Sequence, residues 1–233
     1  MPANAEVKAS KFFLIAIGLF FVLGSEFLVL FIDVYVDGRT MSQFGVWSIH
    51  WYAAIIHWAI TILVWGTAIA FTIRWTRRRG TISGLLTFDV NSKTALWIGV
   101  VVILLVVGTA FERGLSGLGV PEVVREYRGF IRKYGEFALP VTVAQYVYYF
   151  FESELVVLVT ALFQRAGELW SKKSSVPWGG IGLLLTWGGA HFLSHPEGAL
   201  YTTIYAMVIG SVYLLSSKNF LPTYCTVILA FFI

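Results

Sequence analysis

Seven long apolar runs, separated by short polar or basic stretches, constrain this chain more than any other feature. They cover residues 12–35, 49–74, 94–112, 137–164, 178–194, 199–216 and 219–233. A helix that crosses the hydrocarbon core of a bilayer needs roughly 20 apolar residues. Backbone inside lipid must also satisfy its own hydrogen bonds. None of the runs alternates in polarity as a membrane strand does, so they predict helices. The fifth and last runs are short for an upright crossing, which predicts tilt, partial insertion or a place inside the bundle. The expected fold is all-α: a polytopic transmembrane helical bundle of about seven membrane helices, forming a single integral membrane domain over residues 1–233.

Composition agrees with this reading. Hydrophobic residues make up 58% of the 233 positions and charged residues 13%, where a soluble domain carries about 25% charged residues. That length fits one membrane domain and leaves no room for a sizeable soluble module. The single cysteine, Cys225, excludes an internal disulfide and a Cys-rich zinc site. The net charge of +4 is modest, and the arginines gather beside apolar runs. That placement suits membrane topology and not nucleic-acid binding. Lys8 and Lys11 precede a run from Phe12 to Val36, too long for the roughly 7–15 apolar residues of a cleaved signal. It is expected to be a retained first helix.

Basic residues set the orientation. Lys8 and Lys11 precede the first run, Arg74, Arg77, Arg78 and Arg79 follow the second, Arg165, Lys172 and Lys173 follow the fourth, and Lys218 follows the sixth. They alternate with basic-poor connections such as Val36–Ser48 and His195–Gly198, which places the N-terminus in the cytoplasm. The connection Arg113–Glu136 mixes charges of both signs with Val123, Tyr127, Phe130, Ile131 and Tyr134, the pattern of an amphipathic surface helix. Pro121, Pro140, Pro177, Pro196 and Pro222 fall near expected helix starts, where a missing N–H costs least. Gly179, Gly180, Gly182, Gly188 and Gly189 enrich the fifth run in small residues, which predicts a central helix with close neighbours.

Ionisable side chains inside such runs mark the place to look for function, because each costs roughly 2.5–3.5 kcal/mol to insert. Glu152 and His191 each lie thirteen positions from an expected cytoplasmic end, Arg165 and Trp178 respectively. At 1.5 Å per residue both are roughly 20 Å deep. Equal depth permits a carboxylate–imidazole pair, either a general base with its partner or a structural hydrogen bond between two helices. Glu154 is two residues from Glu152, so on a helix the two carboxylates point about 200° apart and do not form one acid pair. His191 and His195 have the i, i+4 spacing of two metal ligands. Ser194-His195-Pro196-Glu197-Gly198 nevertheless reads as a turn at the membrane surface, so no metal is expected. His50 and His57 share a helix face two turns apart, and haem needs ligands from opposite sides. No cofactor is therefore expected. Glu26 is a second acid inside the first run, and Asp33 reaches its end. Nothing in the sequence selects an ion for Glu26.

The order of these features resembles the CPBP family, the group of intramembrane glutamic proteases that contains the CAAX proteases, the bacteriocin-processing proteins and the Rce1-type prenyl-protein endopeptidases. The resemblance covers a CPBP-like core of about 78–233. Glu152 matches the first residue of the family's Glu-Glu-x-x-x-Arg motif, while Ser153 and Val157 stand where the second Glu and the Arg belong. Trp187 and His191 match the aromatic-x-x-x-His motif. The last run, beginning Phe220-Leu-Pro-Thr-Tyr-Cys, has neither His nor Asn where the third motif belongs. The resemblance implies that Glu152 activates water with His191 assisting, and Glu154, Trp187 and His195 are the secondary candidates. It implies a peptide or a prenylated protein as substrate, in a prokaryotic cytoplasmic membrane. The departures leave a second expectation open: a pseudo-enzyme, a non-catalytic scaffold or immunity-type protein that binds a membrane-protein partner. Membrane lipid surrounds the protein in either case, and no nucleic-acid partner is expected.

Overall fold

The computed structural model describes residues 7–26, 28–29, 50–89, 92–113, 120–194 and 199–232. The regular elements among them are helices: α1 (Ala9–Leu23), α2 (Trp51–Arg78), α3 (Ser92–Arg113), α4 (Glu122–Tyr134), α5 (Ala138–Ser171), α6 (Trp178–Leu183), α7 (Gly189–Ser194), α8 (Ala199–Leu215) and α9 (Phe220–Phe232). The one β contact among the described residues is an isolated bridge between Thr87 and Asn219. It ties the segment after α2 to the turn between α8 and α9.

α5 is the axis of the bundle. Every residue from Leu155 to Gln164 is buried, on all sides of the helix, as expected only for a helix enclosed by others. α1, α2, α4, α6 and α9 pack around it. It runs seven residues past the expected end at 164, to Ser171, where Lys172 turns left-handed at φ 58°. The anticipated amphipathic helix is α4, which buries Phe130 and Tyr134 against its neighbours. Gly135, at φ +56°, ends α4 and starts the short 3₁₀ turn into α5. Pro121 and Pro177 cap α4 and α6, while Pro140 and Pro222 are third residues of α5 and α9. Pro196 lies outside the described residues.

Length separates the expected crossings. Two segments are long and apolar enough to cross a membrane: α2, and the stretch Glu122–Ser171 formed by α4 and α5 together. α1 has 15 helical residues, about 22 Å at 1.5 Å per residue, short of a core about 30 Å thick. Its expected continuation to residue 35 falls mostly outside the described residues. The fifth run is not one regular helix. It is broken into α6, a five-residue π-helical turn at Leu184–Gly188, and α7.

The glycine-rich start of that run sits deep in the bundle, as expected. A Cβ on Gly179 would come within 2.5 Å of the Thr160 carbonyl oxygen of α5, and one on Gly180 within 3.2 Å of Gly210 Cα of α8. Gln164 of α5 clamps the entry to α6 from both ends of its amide. Its oxygen accepts from the Gly179 N–H at 2.9 Å, and its nitrogen donates to the Val176 carbonyl at 2.9 Å. Glu168 accepts from the same nitrogen at 3.0 Å and from Lys218 at 2.8 Å. This polar lock fixes the register of the broken helix against α5, and therefore which α5 side chains meet the π turn.

Candidate functional site

The register brings Trp187, in the π turn, opposite Glu152 of α5. Glu152 is 8% exposed, and the Trp187 side chain, whose only donor is the indole N–H, lies beside its carboxylate. One turn further on, the His191 Nδ1 lies 2.9 Å from the Trp187 carbonyl oxygen. The two rings are 4.6 Å apart, centroid to centroid, and tilted by 58°. A carbonyl only accepts, so Nδ1 donates to it, and Nε2 is the ring nitrogen that this bond does not use. Trp187 thus lies against both residues singled out in the sequence, its side chain beside Glu152 and its backbone carbonyl bonded to His191.

A π turn inserts one residue into an α-helix and weakens its hydrogen-bond ladder, and such turns recur at functional sites. Here it has a visible geometric consequence. Trp187 is 8% exposed and faces inward, while Leu185 in the same turn is 72% exposed and faces outward.

On the other side of Glu152 the structure adds residues that had not been connected to it. Tyr148 is one helical turn before Glu152 on α5 and is buried. Its hydroxyl donates to Glu26 Oε2 at 2.7 Å, across 122 positions of sequence. Glu26 Oε1 is also 3.9 Å from His57 Nε2 of α2, with side-chain exposures of 35% for Glu26 and 7% for His57. Glu26 and Glu152 act on each other electrostatically. Trp65 packs on Tyr148 at 4.7 Å between centroids and donates to the Val22 carbonyl at 2.8 Å, which holds the end of α1 beside the site. The acid that had no assigned role therefore acts electrostatically on the acid that had one. The spacing of Tyr148 and Glu152 was a usable signal. The arrival of Glu26 depends on tertiary packing and had none.

A second polar group continues from Tyr149. Its hydroxyl donates to Glu126 Oε1 at 2.6 Å, and Gln145 donates to the same oxygen at 3.1 Å. This group ties α4 to α5 next to the site.

The secondary candidates separate. Trp187 is central, as above. Glu154 is turned toward α9, where its charge acts on Tyr224 and not on Glu152. That agrees with the expected 200° divergence. His195 lies outside the described residues, as does Asp33. His50 stacks on Tyr52 at 5.1 Å at the start of α2. Among the described residues, no three His, Cys, Asp or Glu side chains are placed to hold a metal ion.

The positions where the family motifs fail are also visible. Val157, in place of the Arg, is fully buried among apolar neighbours, and Ser153 is fully buried with its hydroxyl unpartnered among the described residues. On α9, Thr223 donates to the Asn219 carbonyl and Thr226 to the Pro222 carbonyl, both at 2.7 Å. These hydroxyls are engaged by their own helix. No family model matches this chain, and neither a curated protein nor a solved structure does.

Proposed function

We propose that the chain is an integral membrane protein of about seven crossings with a CPBP-like core, and that it is a glutamic-type endopeptidase. The alternation of basic loops places the N-terminus in the cytoplasm. Glu152 and His191 then line a cavity near the bilayer midplane. Glu152 acts as the general base on water and His191, through Nε2, assists. The substrate class implied is a membrane-associated peptide or prenylated protein.

The observation that carries this reading is the Trp187 bridge. A buried carboxylate and an imidazole anchored through its Nδ1 are presented from two helices by one residue, in a locally irregular turn. General-base catalysis needs a positioned acceptor within reach of a water proton, and it contributes about 10²–10⁴-fold. The test is cleavage of an internally quenched prenylated peptide by the purified protein in lipid nanodiscs. Glu152→Gln and His191→Ala are expected to abolish turnover while thermal unfolding stays close to wild type. Unchanged cleavage in either variant rejects the reading.

A second reading is supported by α9. Thr223 and Thr226 spend their hydroxyl protons on their own helix, and Val157 replaces a cation. Loss of an oxyanion donor costs about 10²–10³ in rate. On this reading the protein is a non-catalytic membrane scaffold or immunity-type binding protein. It would show no turnover and would co-purify with a fixed membrane partner in mild detergent. Recovery of the protein alone, time after time, would count against it.

A further inference from the structure

We propose that the groove between α3 and α8 is a seat for one acyl chain of a phospholipid, drawn from the leaflet at the Lys93 end of the bundle. This rests on the reading of α3 and α8 as membrane crossings and not on the endopeptidase reading.

The groove has a structural cause. α3 lies chiefly against α9 and meets α8 only lightly, and a space of about 430 Å³ remains between α3 and α8. Ile204, Met207, Ser211 and Leu215 line it from α8. Their spacing of three and four residues makes one continuous stripe along that helix. Trp97 and Leu104 line it from α3, seven residues apart and so on one face. Leu184, the first residue of the π turn, lines it as well.

The lining selects hydrocarbon. No lining residue is charged. The Ser211 hydroxyl is turned to its own helix, where it donates to the Met207 carbonyl at 2.7 Å. A polar ligand would leave its own groups without partners there, which is costly. A hydrocarbon chain fills the space and restores the dispersion contacts that an empty groove forfeits.

The length selects a lipid. The lining on α8 extends from Thr203 to Leu215, which is about 18 Å at 1.5 Å per residue. One leaflet of the hydrocarbon core is about 15 Å deep, half of roughly 30 Å. A partner helix that crosses the bilayer would need a face through both leaflets, and this groove serves one.

One end of the groove is fixed and polar. Asn219, in the turn between α8 and α9, donates to Thr94 Oγ1 at 3.1 Å and to the Asp89 carbonyl at 2.7 Å. These bonds tie the end of α8 to the start of α3. Lys93 is exposed and precedes Trp97 by one turn on the same face. Trp97 is half-buried, at the level where an aromatic ring meets the headgroups. The Lys93 ammonium therefore complements the phosphate of a lipid whose chain enters beside Trp97. Lys218 is held by Glu168 at 2.8 Å, and Asp89 is exposed at the same end. With a cation and an anion both exposed there, a zwitterionic phospholipid is the matching probe.

The test uses the full-length protein in nanodiscs of phosphatidylcholine that contain a phosphatidylcholine with a diazirine at the end of one chain. After illumination, the label is expected on Ile204 and Leu104, at the end of the groove away from Lys93, and in excess over Leu63, an equally lipid-accessible residue of α2 that is 69% exposed. Equal labelling of Leu63 and Ile204 would mean ordinary surrounding lipid and would overturn the seat. A farnesylated peptide with the same photogroup is the second probe. If it labels Ile204 and the phospholipid does not, the groove belongs to a prenyl chain and the acyl assignment falls. The second readout is native mass spectrometry of the detergent-purified protein. The wild type is expected to carry one phospholipid, Ser211→Phe to lose it and Leu63→Trp to keep it. Retention of the lipid by a folded Ser211→Phe protein would overturn the proposal, and the wild-type labelling pattern decides alone if that variant does not fold. A protein that stays in solution without detergent ends the membrane reading and the seat together. One that needs detergent and labels evenly ends only the seat.

Discussion

Gly180 of α6 and Gly210 of α8 meet backbone to backbone. A Cβ on Gly210 would overlap both the nitrogen and the Cα of Gly180. No side-chain rotation relieves such an overlap, so the helices themselves must separate. Overpacking of this kind costs typically 1–3 kcal/mol, and here the obstacle is backbone. Gly210→Val is therefore expected to lower the thermal midpoint of the purified protein by several degrees. Gly18→Ala is the control, since nothing lies within 4 Å of a Cβ there. Removing a helical glycine at an open position stabilises by about 0.5–1 kcal/mol. Equal midpoints for the two variants would contradict the close crossing of α6 and α8.

The Lys218 ammonium reaches Glu168 across the end of the bundle at 2.8 Å, and Arg165 stands 3.7 Å from the same oxygen. Glu168 is 7% exposed at its side chain and Lys218 26%. Removing one partner of such a pair leaves a poorly solvated charge, which costs more than the pair itself contributes. Lys218→Met is expected to destabilise by about 1–3 kcal/mol, discounted from the buried-pair range because Lys218 is partly exposed and Arg165 remains. The double variant Lys218→Met with Glu168→Gln should recover part of that loss. A double-mutant cycle with no coupling would show that the contact is incidental.

Much of this arrangement was legible in the sequence. The periodic apolar runs gave the helices, because only helical backbone satisfies itself in an apolar setting. The interleaved charges of Arg113–Glu136 gave the amphipathic α4, and the glycines of 179–182 gave a buried, tightly packed α6. Glu152 and His191 were identified from residue type and spacing, and Trp187 from the motif that the family resemblance implies. Their joining through one tryptophan was not, because an α-helical reading of 178–194 has no extra residue and assigns Trp187 no special direction. Glu26 and Tyr148 were missed as a unit for a different reason. Their contact spans 122 positions, and pattern along a chain carries no information about which buried acid will face which. The length of α5 beyond Arg165 was also hidden. Gln164, Glu168 and Lys218 look like a polar loop boundary in sequence, yet they are the lock that keeps the last turns helical.

Trp65 holds the end of α1 through a single bond. Its indole N–H donates to the Val22 carbonyl at 2.8 Å, and the residue is 1% exposed. Trp65→Phe retains most of the packing on Tyr148 and leaves that acceptor without its donor, at a cost of about 1–3 kcal/mol. The local effect should exceed the global one, because Glu26 follows Val22 by four residues. Hydrogen exchange of the α1 amides near Val22 is expected to accelerate more than that of α5. Uniform acceleration across both helices would mean that Trp65 serves the core and not the placement of α1.

The π turn makes the sharpest prediction, because its effect on direction is separable from its effect on stability. One extra residue between Leu184 and Gly188 rotates everything after it by about 100° relative to an unbroken α-helix. Deleting Leu185, which is 72% exposed, removes little packing and restores a regular helical register. The start of α6 stays clamped by Gln164 at Gly179 and Val176, so the rotation falls on Trp187 and His191. The expected result is a protein of near wild-type or higher thermal midpoint, since the weakened hydrogen-bond ladder is repaired. The approach of the Trp187 indole to Glu152 should be lost, seen as a change in the indole N–H signal by NMR. Any peptide cleavage should be lost with it. Trp187→Phe separates the two consequences: it keeps a ring against His191 and removes the indole N–H beside Glu152. If the deletion variant leaves the indole N–H signal unchanged, the bundle tolerates a one-residue shift, and the π turn does not set the direction of the site.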